Sequence, residues 1–191
     1  MELIDYADLC ARSYEDGPEF TTVGDLVFGV FEQDGIYRVV FRGSSNLDNW
    51  LRDVSVIPAT TAKGYRTHGG ILGAFETMWP EIFKRIPHAD PSKVEAVGHS
   101  LGGGIAVQMA HYLGCRAVTF GCPRLWWSAD DPPEIAHVRV ACDDDPVPMV
   151  PHLFFKHDCR EVIILSDRDN EIVNPEDHNI SVYQHRLPKY Q

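Results

Sequence analysis

Residues 94–110, VEAVGHSLGGGIAVQMA, constrain the fold more than any other stretch. Val94 to Val97 is a short apolar β-run, and after it Leu101, Ile105, Met109 and Leu113 recur at four-residue spacing, as on one face of a helix starting near Ser100. Between the two runs, Gly98-His99-Ser100-Leu101-Gly102 fits G-x-S-x-G, the pattern of a serine raised on a sharp strand-to-helix turn. Glycines two residues to either side remove the side chains that would collide as strand and helix close on each other. The stretch predicts a layered α/β fold with Ser100 at the carboxyl edge of its sheet. Taken alone, so short a pattern also arises by chance in a chain with 15 glycines. A phosphate-cradling loop is a second reading, because Gly102-Gly103-Gly104 opens a helix, but the lysine of a P-loop is absent.

The flanking sequence fits the layered fold. Residues 1–13 place Leu3, Ile4, Ala7 and Cys10 at helical spacing, and Leu26–Phe31 and Ile36–Phe41 form a hairpin turning at Asp34-Gly35. A helix is expected over 71–86, kinked or restarted at Pro80. Cys115–Phe120, Ala136–Ala141 and Val162–Leu165 supply further strands, so strands and helices alternate as in a mostly parallel sheet covered on both faces. With 191 residues, 44% hydrophobic and 24% charged, the expectation is one domain over 1–191.

Charge narrows the partners. A net charge of -11 repels polyanions, so nucleic acid and anionic membrane surfaces are not expected, and a neutral ligand is. The opening MELIDYADLC lacks a basic start followed by an apolar run, and no apolar stretch is long enough to span a bilayer, so a cytoplasmic protein is expected. The five cysteines, Cys10, Cys115, Cys122, Cys142 and Cys159, are odd in number and lack zinc-type spacing, which points to reduced thiols. His152, His157, Asp158 and Cys159 likewise fit no specific metal pattern.

A serine hydroxyl needs a base, an orienting carboxylate and donors for the oxyanion. In this architecture the acid and then the base follow the serine along the chain. Asp143-Asp144-Asp145 ends a candidate strand, and Asp145, fixed by Pro146, is the chosen acid; a solvated turn is the plain alternative. Of the histidines beyond the last strand, His178 lies in a polar loop and is preferred to His185 near the chain end. The oxyanion would be held by the backbone N–H of Leu101 and by Ser44 in Arg42-Gly43-Ser44-Ser45, where a serine could equally cap the next helix. That next segment, 46–54, places Leu47, Trp50, Leu51 and Val54 on one face and is expected to be a helix, either packed or acting as a lid beside the site. Trp126-Trp127 could line an acyl pocket, though packing against the sheet is the simpler expectation.

These segments resemble the class 3 lipases, the fungal-type lipases of the α/β-hydrolase fold. VVFRGSSNLDNWLRDV (39–54) is similar to that family's oxyanion loop and lid, and THGGILGAF (67–75) to its His-x-Gly-Phe motif, with Ile71 where Phe is usual. VGHSLGGGIAVQMA resembles its nucleophile elbow, VTFGCPR (118–124) a strand end, and DPVPMVP (145–151) its acid segment. The resemblance implies a triad of Ser100, Asp145 and His178, oxyanion donors at Ser44 and Leu101, a structural role for His68, and hydrolysis of acyl esters without cofactor or metal. The expected substrate is a neutral ester or lipid, met in solution or at a transient lipid interface. The family's histidine is followed three residues later by Tyr, where this chain has Ser181, with Tyr183 two further on. Acyl transfer on the same residues, or a binding module that has lost catalysis, are the alternatives.

Overall fold

The computed structural model describes residues 1–15, 17–44, 57–86, 89–158, 161–166 and 173–190. Its centre is a seven-stranded sheet. The strands are β1 (Phe20–Val23), β2 (Leu26–Gln33), β3 (Ile36–Phe41), β6 (Val94–His99), β7 (Arg116–Phe120), β9 (His137–Cys142) and β11 (Glu161–Leu165), in that spatial order. From β3 to β11 every neighbour is parallel, while β1 and β2 form an antiparallel margin. A smaller antiparallel sheet is built from β4 (Pro58–Thr60), β5 (Arg66–His68), β8 (Trp126–Trp127) and β10 (Phe155–Lys156), in the order β10-β8-β5-β4.

Parallel strands are covered on both faces, and the period-2 alternation divides their side chains between two cores. Val39, Phe41, Val94, Ala96 and Ala117 pack beneath α2 (Gly69–Phe83) and α3 (Leu101–Leu113). Val40, Val97, Val118, Phe120, Val138, Val140 and Leu165 face α1 (Leu3–Arg12) and α4 (Ile180–Tyr190). Val39, Val40 and Phe41 are each fully buried, and burying such side chains contributes about 1.5–3 kcal/mol apiece. The crossovers place the ends of β3, β6, β7 and β9 along one carboxyl edge. Ligands of such sheets bind there.

Helix α2 starts two residues earlier than expected because His68 caps it, its Nδ1 accepting from the Ile71 N–H at 3.4 Å. Pro80 neither ends nor divides α2; it sits in the last turn of one continuous helix. The predicted helix over 46–54 lies outside the described residues.

Candidate active site

The elbow is shaped by backbone contacts that glycine alone permits. Ser100 has φ 59° and ψ −130°, a conformation that costs about 1–3 kcal/mol and persists only where the surroundings enforce it. A Cβ on Gly98 would stand 2.1 Å from the Gly102 carbonyl oxygen, and one on Gly102 would stand 2.2 Å from that of Phe41. The turn is tied to the neighbouring strand by the Ser100 N–H donating to the Phe120 carbonyl at 2.9 Å. Leu101 then opens α3, where the N–H of a first helical residue has no acceptor one turn back, while Gly103 donates to the Ser100 carbonyl at 2.9 Å.

Asp145 lies just past β9, 1% exposed. One carboxylate oxygen, Oδ1, accepts from the Val147 N–H at 2.8 Å; the other, Oδ2, lies 2.8 Å from His178 Nδ1. A third group completes the shell: the Tyr183 hydroxyl donates to Oδ2 at 2.6 Å. Burial and the facing Asp145 carboxylate push the Tyr183 phenol well above its ordinary pKa, so it stays a donor. Tyr183 thus reaches the acid from α4, whereas Ser181 hydrogen-bonds Asn179.

His178 closes a 3₁₀ turn, Pro175–His178, and is 4% exposed. Its ring and the acid rest against Gly121, where an added Cβ would stand 2.8 Å from His178 Cε1 and 3.1 Å from Asp145 Oδ2. Behind them Arg186 on α4 pairs with Asp144 at 3.1 Å and with Asp177. These are the chain neighbours of Asp145 and His178, so one buried guanidinium ties the loop of Asp145 to the loop of His178. His185 is exposed on α4 and does not line the cleft described next.

Ser100 and His178 each leave one polar atom over. Ser100 Oγ and His178 Nε2 are buried with no hydrogen-bond partner among the described residues. Both residues line one cleft of about 750 Å³, with Tyr14, Ser44, His99, Glu176, Ile180 and others on its walls. Unsatisfied buried polar atoms are uncommon in folded proteins and mark reactive or ligand-binding positions when they face an open cleft. A hydroxyl, an imidazole nitrogen and a carboxylate on the far nitrogen form the arrangement in which a serine can lose its proton as it attacks.

Ser44 lies at the cleft wall directly after β3, where a second oxyanion donor would stand. Leu47, Trp50 and Leu51, the proposed lid side chains, lie outside the described residues. Trp126 is buried in the core against His111 and Tyr65, and Trp127 stacks on Phe154 at 5.4 Å, so both pack and neither lines the cleft. His68 is buried, caps α2 and lies 5.4 Å from the Phe155 ring. His157 bonds the Pro148 carbonyl and Asp158 faces His137 at 3.0 Å; among the described residues no group of three or more His, Cys, Asp or Glu could hold a metal ion.

Sequence reasoning passed over Tyr14, Gly121 and Arg186. Only Gly121, inside VTFGCPR, carried a local signal.

The family model of the class 3 lipases matches residues 38–155. A lipase of Rhizomucor miehei is 35% identical over 81 residues, 38% of this chain and 22% of that protein. The secreted mono- and diacylglycerol lipase 1 of Fusarium solani is 31% identical over 132 residues, 61% of this chain and 40% of that protein. The chain therefore spans less than half the length of either relative. The structure of the Rhizomucor miehei lipase propeptide complex superposes with a TM-score of 0.71 at 24% identity, over 95% of this chain and 75% of that one.

Proposed function

The chain belongs to the class 3 lipase family and has its α/β-hydrolase fold, and from that membership we propose that it is a serine hydrolase cleaving neutral carboxylic esters of lipid or acyl type. The observation that carries this reading is the pair of buried, unpartnered atoms, Ser100 Oγ and His178 Nε2, opening on one cleft with Asp145 on the far side of the imidazole. His178 Nε2 takes the Ser100 proton as Oγ attacks the ester carbonyl, and an alkoxide forms on the carbonyl oxygen. The Leu101 N–H and Ser44 donate to that oxygen. Asp145 holds the Nδ1–H and stabilises the imidazolium, which then gives its proton to the departing alcohol. Water, deprotonated by His178, attacks the acyl carbon; the Ser100 Oγ–acyl bond breaks, Oγ takes the proton back from the imidazolium, and the acid is released. Every group in these steps belongs to this chain, the ester or water.

Several features favour an ester of an uncharged acyl compound. The net charge of -11 disfavours anionic substrates, and the relatives are named as lipases. Residues 1–191 act as one catalytic domain in this reading. No described helix is long and apolar enough to cross a membrane. The described Cys10, Cys115 and Cys142 are buried thiols, a state that a reducing compartment maintains, and this supports a cytoplasmic site of action, in contrast to the Fusarium relative named as secreted.

The test is covalent. A fluorophosphonate should add one phosphonyl group to Ser100 with loss of fluoride, and Ser100→Ala should abolish both labelling and hydrolysis of p-nitrophenyl butyrate. Undiminished hydrolysis by that variant would overturn the assignment. Labelling at Ser100 without turnover of any ester would favour acyl transfer to another acceptor instead.

A further inference from the structure

One phenol lies where the two sides of the cleft meet, and it comes from a segment before the stretch matched by the family model. Tyr14 follows α1, and its hydroxyl lies 2.7 Å from His99 Nδ1. His99 Nε2 in turn lies 2.7 Å from the backbone carbonyl oxygen of His178. A carbonyl only accepts, so Nε2 carries the imidazole proton and Nδ1 accepts from the Tyr14 O–H. The same hydroxyl packs against Gly43, where an added Cβ would stand only 2.3 Å from it. Gly43 immediately precedes Ser44.

The His99 ring also stacks on that of His178, with centroids 4.7 Å apart and planes at 29°. Burial, and then the neighbouring His178, hold the His99 pKa down to about 3, so the ring beneath the base is neutral. Neutrality has a function there: a second cation this close would oppose the imidazolium that forms when Ser100 is deprotonated. Tyr14 donation to Nδ1 blocks the nitrogen that such a proton would occupy.

We propose that Tyr14 and His99 are positioning residues: the Tyr14 hydroxyl, packed against Gly43 and hydrogen-bonded to His99 Nδ1, sets the oxyanion loop and, through His99, the backbone and ring plane of His178. This rests on the reading of Ser100, His178 and Ser44 given above. Without the hydroxyl, His99 is free to change tautomer or turn, and the His178 carbonyl loses its donor. Catalytic groups tolerate displacements of only about 0.5 Å, and 1 Å can cost about 10²-fold in rate.

A double-mutant cycle with p-nitrophenyl butyrate tests the coupling. Tyr14→Phe should lower kcat about 30-fold with KM within about 2-fold, intermediate between no effect and a 1 Å displacement. In a His99→Gln background, where the relay is already broken, the same change should cost about 3-fold or less. Effects that multiply in full, or a Tyr14→Phe kcat within about 2-fold of wild type, would overturn the proposal. Ser100→Ala separates the two levels: if it stays active the hydrolase reading fails, whereas if it is inactive and Tyr14→Phe is unimpaired only the positioning role fails. Nitrogen-15 histidine spectra of the wild-type protein at pH 7 give a readout that needs no variant. His99 should be the neutral Nε2–H tautomer, and an Nδ1–H tautomer would overturn the relay.

Discussion

A methyl group added at Gly121 would press on the His178 ring and the Asp145 carboxylate together, in backbone whose φ of +56° already disfavours a side chain. Gly121→Ala should therefore lower kcat about 100-fold with KM nearly unchanged, read in steady-state ester hydrolysis; a wild-type kcat would show that the pair is not packed against this backbone. Tyr183→Phe removes a donor from a buried carboxylate without changing shape, and should cost about 1.5–3 kcal/mol in urea unfolding. Ser100, Asp145 and Ser44 stand out in the sequence because local grammar surrounds them: glycines, prolines and strand ends. His178 could be separated from His185 only by position. Tyr183 and Tyr14 act on partners 38 and 85 residues away, and no local pattern announces a contact of that span.

Among the elements, the strand–turn–helix of β6 and α3 was legible because two periodicities and two obligatory glycines coincide within 20 residues or so. Gly98→Ala should lower stability by about 3 kcal/mol in urea unfolding, because its Cβ meets backbone that cannot rotate away. Gly73, on the exposed side of α2 with no atom within 4 Å of an added Cβ, gives the opposite sign. Gly73→Ala should stabilise by about 0.4–1 kcal/mol, and a loss in the same experiment would show that α2 is not helical there. The elements that escaped sequence reading are β1, β4, β5, β8 and β10, of two to four residues each. Strands that short show too little alternation to be recognised, and those of the smaller sheet owe their existence to neighbours far along the chain. Helix α4 was also missed, with Pro188 in its last turn masking the pattern.

For the molecule as a whole, the buried histidines link stability to pH. Desolvation lowers His99 to about 3 and His111 and His157 to about 4, all below the usual value near 6.5. Between those values the unfolded chain binds protons that the folded chain does not, so stability is complete above about pH 6.5 and falls as the pH drops. Each histidine that stays neutral contributes about 1.4 kcal/mol per pH unit to that fall. Asp158, whose carboxyl is held low by His137 despite its burial, adds a further loss at still lower pH. Urea midpoints should decline steadily from pH 6.5 to 4.5; a flat profile would mean that these rings are charged or solvated in the folded state.

The sequence by itself determined the layered α/β class, the tight strand-to-helix turn at Ser100 and the net negative charge. These follow from local sterics, from side-chain period and from charge, which depend on residues close in the chain. Only the tertiary structure decided that His178 and not His185 lines the cleft with Ser100, that Tyr183 rather than residue 181 bonds Asp145, and that Tyr14 reaches His99 across the chain. Those contacts are made when the sheet brings the ends of β3, β6, β7 and β9 to one edge and packs α1 beside α4. Convergence of separate crossovers at one edge is a property of the folded chain and has no local sequence correlate.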